Sequence, residues 1–194
     1  MPARTLLQLG DPKLKAKNSV VTNVKSPRIK KVIKALVNAM RSNDLVGIAA
    51  PQIGEHYQIF VTEPRETKIR TADQADELRV YINPHIMYVS EEKTTIYEGC
   101  GSVAKGDVFG PVKRPKLVTI EAYNTEMQKF HLQCDGLLAR IIQHEYDHLS
   151  GIEFIEKVSD YSKLKNKKFY IKEIKNSPQQ VKASLITVKQ YSEI

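Results

Sequence analysis

Residues 143–149 read QHEYDHL and lie in the longest stretch of the sequence that has the pattern of a buried helix. Histidines four residues apart share one helical face and can bind the same metal ion, and a glutamate between them can transfer a proton. At about 100° per residue, that face also carries the apolar residues Leu137, Leu138, Ile141, Ile142 and Leu149. The helix therefore directs His144, Glu145 and His148 into the core, where an ionised glutamate needs a cation or a hydrogen bond.

A catalytic metal site needs a third protein ligand and an open position. Cys100 is the favoured ligand, because the glycines on either side let its backbone approach a metal closely. The alternatives are Glu153 and Glu156, which follow the helix as the third ligand does in zincin-like proteases. The purely structural interpretation is a pair of hydrogen-bonded core histidines and an ordinary buried cysteine.

Composition is that of a globular protein. The 194 residues are 41% hydrophobic and 27% charged, and they predict one domain with a substantial core. No stretch resembles a membrane span, and residues 1–10 resemble neither a secretory signal nor a transit peptide. We therefore expect a cytoplasmic monomer in which Cys100 and Cys134 are free thiols or metal ligands.

Positive charge is concentrated at the C-terminus. The net charge is +8, and residues 157–194 contain nine lysines against three acidic residues, so they carry most of it. The lysine-rich segment is interpreted either as a solvated face or as a weak, salt-sensitive contact with ribosomal RNA.

The order of predicted elements is that of an α+β domain. A short helix should begin at Asp11-Pro12, and an amphipathic helix should run from Ser26-Pro27 to about Asn43. Alternating apolar residues predict strands at 57–62 and 78–83, and hairpins that pair 86–89 with 94–97 and 117–123 with 129–133. Asp135 should cap the central helix, and Gly151 should end it. We expect a mostly antiparallel sheet packed around the metal-binding helix.

Three segments together resemble the motifs of the peptide deformylase family, in their usual order. Residues 45–52 read LVGIAAPQ, residues 98–102 read EGCGS, and residues 143–149 match the third motif throughout. The resemblance extends from about residue 6 to residue 157. It divides the chain into a deformylase-like catalytic domain, 1–157, and a lysine-rich extension of the same domain, 158–194.

The resemblance implies an enzyme that removes the formyl group from the N-formylmethionine of nascent chains and releases formate. Cys100, His144 and His148 would bind one divalent metal, ferrous iron in many members of the family, with zinc, nickel or cobalt as other choices. Glu145 would take a proton from the attacking water and pass it to the departing amine.

The resemblance also implies the residues that bind the substrate. Gln52 and the backbone N–H of Gly101 would hold the oxyanion of the tetrahedral intermediate. Gly47 and its neighbours would pair with the peptide backbone as a strand does. Residues near Ile48 and Ile141 would form the methionine pocket.

Two residues depart from the family pattern, and Arg140 is a further unexpected residue. Leu45 stands where a glycine is usual and is expected to crowd the substrate cleft. Gly101 stands where a leucine is usual, so the oxyanion donor gains backbone freedom. Arg140, one turn before His144, is expected on a solvated edge of the helix. These departures motivate a second hypothesis, a deformylase-like protein with weak or altered activity that serves mainly as a binding module.

Overall fold

A computed structural model describes residues 5–67 and 70–194. Residues 1–4 of the N-terminal stretch, and residues 68 and 69 of the polar segment between the first two predicted strands, lie outside this description. Within it, the helices are α1 (Pro27–Ser42), α2 (Gly136–Leu149), α3 (Lys167–Phe169), which continues as a π-helical turn at Tyr170–Ile174, and α4 (Pro178–Ser184). Short 3-10 turns occur at Pro12–Lys15, Ala50–Ile53, Ala72–Gln74, Ala104–Gly106, Phe154–Lys157 and Tyr161–Lys163.

The strands form two antiparallel sheets. They are β1 (Gly47–Ala49), β2 (Ile59–Thr62), β3 (Arg79–Val89), β4 (Lys93–Gly99), β5 (Val108–Pro115), β6 (Val118–Tyr123), β7 (Lys129–Cys134), β8 (Lys165–Asn166) and β9 (Lys189–Glu193). The larger sheet has the order β1-β2-β3-β6-β7-β9, and the smaller has the order β4-β5-β8. The predicted α+β class with antiparallel sheet is confirmed.

The larger sheet separates the two long helices. Successive residues of a strand face opposite sides of a sheet, and in β2 Ile59 and Val61 join the apolar cluster of α1 while Phe60 joins that of α2. In β1, Ile48 faces α1 and Ala49 faces α2 for the same reason. The strand therefore presents Gly47 to the side that carries the two histidines.

One predicted hairpin is wrong. Residues 86–89 belong to the end of β3 and pair with β6, whereas β4 pairs with β5 in the other sheet. At the junction, Ser90 N donates to Leu117 O and Lys116 N donates to Glu92 O, so the chain leaves one sheet and starts the next. Alternation in the sequence indicated both strands, but it does not encode which partner each strand takes.

The local signals at helix ends are mostly confirmed. Asp11 caps the turn at Pro12–Lys15, and Ser26 Oγ accepts from Ile29 N at the start of α1. Gly151 follows α2 with φ +71°, the left-handed conformation that ends many helices. Asp135 occupies the N-cap position of α2, but its carboxylate accepts instead from Thr187 N at 2.6 Å and Val188 N at 2.9 Å.

The C-terminal residues pack on both sheets. Strand β9 pairs with β7 at the edge of the larger sheet, and β8 pairs with β5 at the edge of the smaller one. Across the described parts of the chain, no helix combines the length and apolar character needed to traverse a bilayer.

Candidate active site

The centre of the site is a group of three potential metal ligands. Helix α2 contributes His144 and His148, and the turn after β4 contributes Cys100. One ligand atom from each residue lies within 4.8 Å of the others, the only such trio of His, Cys, Asp or Glu in the described part of the chain. Cys100 Sγ lies 3.3 Å from His148 Nε2. Tetrahedral ligands at usual metal distances are about 3.5 Å apart, so this spacing fits a small divalent ion.

A buried carboxylate lies beside each imidazole ring. His144 Nδ1 lies 2.9 Å from Glu98 Oε2, which leaves Nε2 for a metal. His148 Nδ1 lies 3.5 Å from Glu153 Oε1, while its Nε2 faces Cys100. Glu153 therefore sits behind His148, away from the ligand atoms. Glu156 pairs with Lys15 at the surface, so neither glutamate takes the position that a zincin-like site requires.

The two imidazoles hold protons that a metal ion would replace, and they favour the thiolate form of Cys100. Burial raises the pKa of the Cys100 thiol, but His148 and His144 outweigh burial and lower that pKa to about 6. Burial lowers the pKa of His148, but Cys100 and Glu153 raise it well above its ordinary value. A metal binds thiolate and neutral imidazole. The donor set therefore suits a soft or borderline divalent ion such as zinc or ferrous iron.

Glu98 is the hub of a buried ionic network. Its Oε1 accepts from Arg114 Nε and from Arg140 Nη1, each at 2.8 Å, in addition to the contact with His144. Burial alone would raise the pKa of Glu98, but Arg114 and His144 hold it far below its usual range. Arg114 Nη1 also donates to Asp147 Oδ2 at 2.6 Å. The network thus ties His144 to the strands of the smaller sheet.

The solvated position predicted for Arg140 is wrong. The residue is only 4% exposed, and its guanidinium donates to Val112 O at 3.0 Å and Thr94 O at 2.8 Å as well as to Glu98. Two carbonyls and one carboxylate converge on the arginine from β4 and β5, and they compensate for its loss of hydration. Asp147, one heptad after Arg140 on the same helix, binds Arg114.

Glu145 is a buried carboxylate beside the histidines. It is 4% exposed, and its Oε2 has no hydrogen-bond partner among residues 5–67 and 70–194. Burial, the largest influence, raises the pKa of Glu145 to about 7. A Cβ at Gly47 would lie 2.5 Å from Ile141 Cγ2 and 2.7 Å from Glu145 Oε1. Because Gly47 has no side chain, the Glu145 carboxylate can occupy this space.

Gln52 is fixed against the cysteine. Its Oε1 accepts from Ala49 N at 2.8 Å, which orients the amide. Its Nε2 then lies 3.4 Å from Cys100 Sγ and 3.2 Å from Ser102 Oγ. An N–H donor is thus held beside the ligand atoms before any substrate arrives.

Gly101 is more constrained than its residue type suggests. Gln8 Nε2 donates to Gly101 O at 3.0 Å, and Val103 N donates to Cys100 O at 3.0 Å. A Cβ at Gly101 would lie 2.6 Å from Leu6 Cδ1 and 3.2 Å from Leu45 Cδ1. Leu45 thus packs over the glycine, and the two departures from the family pattern are in contact with each other.

The centre opens into a cleft of about 610 Å³. Its lining includes, from the predicted site, Gly47, Gln52, Cys100, Gly101, Ile141, His144 and Glu145. Ile48 is not part of the lining, because its side chain is buried on the α1 side of the sheet. The lining also includes Leu45 and Arg140.

One wall of the cleft was not predicted from the sequence. Tyr170, Lys175, Gln180 and Val181 come from the C-terminal segment, for which the sequence indicated only positive charge. Tyr170 stacks on Phe109 with ring centroids 4.0 Å apart. No recognised motif extends past residue 157, so no signal placed these residues near the histidines.

Comparison of the sequence with known families matches residues 3–164 to the family described as polypeptide deformylase. Peptide deformylase 1 of Ralstonia nicotianae is 37% identical over 159 residues, which are 82% of this chain and 88% of the relative. Peptide deformylase of Pseudothermotoga lettingae is 37% identical over 169 residues, 87% of this chain and 91% of the relative.

Solved structures give the same result. Peptide deformylase from Thermotoga maritima superposes with a TM-score of 0.71 at 29% identity. The match covers 82% of this chain and 100% of the Thermotoga chain. A class I type b peptide deformylase from Acinetobacter baumannii, crystallised with Met-Ala-Ser bound, has a TM-score of 0.72 at 29% identity and covers 79% and 96% of the two chains.

Proposed function

Because this chain belongs to the peptide deformylase family, it hydrolyses the N-formyl group of nascent peptides, and we propose that it does so with a divalent metal held by Cys100, His144 and His148. The observation that supports this ligand set is the convergence of one sulfur and two imidazole nitrogens within 4.8 Å. We propose ferrous iron as the resident ion, with zinc, nickel or cobalt as replacements, since this donor set suits all of them.

Lewis-acid chemistry is what the metal supplies when bound: it makes hydroxide available near neutral pH and stabilises negative charge on the formyl oxygen. Glu145 takes a proton from the water molecule as the oxygen of that water bonds to the formyl carbon. The protonated carboxyl group of Glu145 then gives that proton to the amine nitrogen as the C–N bond breaks, which releases formate and a free N-terminus and returns Glu145 to the carboxylate. A pKa raised to about 7 by burial suits a group that must both accept and donate.

Two donors stabilise the tetrahedral intermediate in this proposal. The Gln52 amide is already aimed at the centre, and the N–H of Gly101 is held by the turn that carries Cys100. Such donors stabilise the oxyanion because they need no reorientation as charge develops.

The peptide enters along the free edge of β1. Strand β1 lies at the edge of the larger sheet, and among the described residues β2 is the one strand that pairs with it. The backbone at Gly47 can therefore add a substrate strand. We place the first side chain of the substrate beside Ile141 and not beside Ile48, which faces away from the cleft.

A binding module without catalysis is not favoured, because ligands, carboxylate and amide donors are all assembled at one end of the cleft. The test is an anaerobic assay of formate release from formyl-Met-Ala-Ser with enzyme loaded with ferrous iron or nickel. We expect turnover by the wild type and about one metal ion per chain. Cys100→Ala should lose both tight metal binding and turnover. A fully loaded variant would remove Cys100 from the ligand set.

We also propose a cytoplasmic monomer in which residues 158–194 extend the catalytic domain and make a weak contact with ribosomal RNA through exposed lysines such as Lys168 and Lys182. Because β9 completes the larger sheet, deleting the segment would damage the fold and would not test the contact. Lys168→Gln and Lys182→Gln remove charge without removing backbone pairing. Cosedimentation with ribosomes at low salt should fall in the double variant; unchanged cosedimentation would contradict the contact.

A further inference from the structure

The outer part of the cleft is rich in positive charge. Four of its lining residues are cations from separate parts of the chain: Arg70, Lys105, Lys167 and Lys175. Outside the catalytic centre, Asp44 is the acidic residue in the described lining. Its side chain is 97% exposed, and its carboxylate lies 3.5 Å from Arg65 and also attracts Arg70 and Lys175. The cations thus exceed the acidic charge available to them.

Two of these cations are partly desolvated. Arg70 and Lys175 are half-buried, and Arg70 Nη1 donates to the carbonyl of Arg65 at 2.8 Å. Burial, followed by the charge of Arg70, lowers the pKa of Lys175, and burial likewise lowers the pKa of Arg70. Partly buried cations that repel one another are stabilised by an added anion.

The C-terminal segment supplies two of these cations, Lys167 and Lys175, and its backbone is held in place around them. Lys167 and Lys175 flank the π-helical turn, and Tyr170 in that turn stacks on Phe109 at 4.0 Å. Further along, the Gln180 amide accepts from Tyr97 N at 3.0 Å and donates to Tyr97 O at 3.2 Å. A nearby lysine, Lys165, is already paired with Glu173 at 2.8 Å. The backbone that carries Lys167 and Lys175 therefore forms a fixed wall of the cleft, with Lys167 N donating to Asp107 O at 2.9 Å and Lys175 N to Tyr170 O at 3.0 Å.

This wall and the catalytic centre line the same cleft, so the ligand that reaches the wall is the peptide substrate. A peptide that places its formyl group at Cys100 must leave through the same cleft, and Gln180 occupies the backbone groups of Tyr97 that a peptide strand would use. Side chains of the peptide then meet the cations. Lys167 and Lys175 lie beyond residue 164, where the match to the family ends.

We propose that the outer cleft selects formylated peptides with acidic side chains after the first two residues, an inference that rests on the proposed deformylase function. Recognition is electrostatic, through Arg70, Lys167 and Lys175, with Lys105 as a further cation on the turn after Cys100. Selectivity should therefore weaken as salt screens the charges.

The test compares metal-loaded enzyme on three C-terminally amidated peptides: formyl-Met-Ala-Glu-Glu, formyl-Met-Ala-Gln-Gln and formyl-Met-Ala-Lys-Lys. We expect kcat/KM for the glutamate peptide to exceed that for the glutamine peptide by about three- to tenfold at low salt, and the lysine peptide to be poorest. The ratio should approach one at about 0.5 M salt. Lys175→Glu should bring the kcat/KM values of the glutamate and lysine peptides closer together, since three cations then face two acidic residues.

Lys172→Glu is the matched control, since it makes the same charge change in the same turn, on an exposed residue outside the cleft. It should keep the wild-type order. Equal kcat/KM for all three peptides at low salt would overturn the inference, as would an equal loss of selectivity in Lys172→Glu. A Lys175→Glu variant that keeps peptide selectivity but binds ribosomes less would assign the charge to RNA instead.

Failure of the inference and failure of the proposed function give different results. Turnover of the glutamine peptide tests the function alone. If that turnover were absent, binding of the unformylated peptides to the same metal-loaded protein, measured by fluorescence anisotropy, would still be decisive. Preference for Met-Ala-Glu-Glu over Met-Ala-Gln-Gln supports the charged wall, and equal affinity overturns it.

Discussion

At the residue scale, Leu45 and Gly101 act as a packed pair. Each departs from the family pattern, and the side chain of Leu45 occupies part of the space that a side chain at Gly101 would fill, together with Leu6. The φ of Gly101 is not positive, so its backbone does not demand glycine. Glycine fits here because Leu6 and Leu45 leave little room for a side chain, and not because the backbone conformation requires it.

Gly101→Leu alone should therefore destabilise the protein by about 1–3 kcal/mol, because it overpacks the turn against Leu6 and Leu45. Leu45→Gly alone should also destabilise it, since a partly buried side chain is lost. The double variant should recover part of the loss, with an interaction energy of about 1–2 kcal/mol. Urea unfolding of the four proteins measures the cycle, and simple additivity would show that the two positions are independent.

Gly47 is the second position where one methyl group matters. Gly47→Ala would place Cβ 2.7 Å from Glu145 Oε1 and 2.5 Å from Ile141 Cγ2, so the carboxylate must move. A displacement of about 1 Å in a reacting group costs on the order of 100-fold in rate. We expect kcat for formyl-Met-Ala-Ser to fall by that order.

Metal content supplies the control for Gly47→Ala. The metal ligands are not among the nearest atoms to the new methyl group, so the ratio of metal to protein should stay that of the wild type. Wild-type kcat would show that Glu145 tolerates the displacement, and loss of metal would show that the ligands had moved with it.

At the element scale, Arg140 joins α2 to the smaller sheet. Its guanidinium binds Glu98, Val112 O and Thr94 O, which lie on β4 and β5. Arg140→Met keeps similar length and removes the charge, so it leaves two carbonyls without this donor. Breaking one member of a buried ionic network costs about 3–5 kcal/mol.

We expect Arg140→Met to lose about 2–4 kcal/mol in the free energy of unfolding, since Glu98 keeps Arg114 and His144. The measurement is denaturant unfolding of metal-free protein, which separates stability from metal affinity. Arg28→Met is a useful control, because Arg28 pairs with Glu55 while its own side chain is 56% exposed. Equal stability of Arg140→Met and wild type would show that the network contributes no net stability.

At the scale of the whole molecule, the C-terminal segment is fastened through Asp135. The carboxylate at the start of α2 accepts from Thr187 N and Val188 N, and β9 then pairs with β7. Tyr191 of β9 packs on Phe130 with ring centroids 5.2 Å apart. The segment that supplies one wall of the cleft is thus attached to the helix that supplies the histidines.

Asp135→Ala should destabilise the protein by about 2–4 kcal/mol, because two backbone N–H groups lose their acceptor. Limited proteolysis should then cut within residues 165–194 faster than in the wild type, since the cut sites open through local unfolding. Asp160→Ala is the control, because Asp160 caps only a local turn at the surface. An unchanged cleavage rate in Asp135→Ala would show that other contacts hold the segment.

The sequence by itself determined the features that depend on neighbours in the chain. The spacing of His144 and His148 follows from helical geometry, α1 follows from its apolar period and Pro27, and the hairpin of β6 and β7 follows from alternation around a short turn. Each is set by interactions over a few residues, so a local pattern is sufficient to predict it.

Only the tertiary structure decided the features that join distant segments. Gln180 reaches Tyr97 across 83 residues, Arg140 reaches Glu98 across 42, and β4 pairs with β5 instead of β3. A residue pattern indicates which face of a helix or strand is apolar. It does not indicate which strand, carboxylate or side chain packs against that face. The burial of Arg140, the packing of Leu45 on Gly101 and the charged wall of the cleft arise from that choice of partners, which is made when the whole core packs.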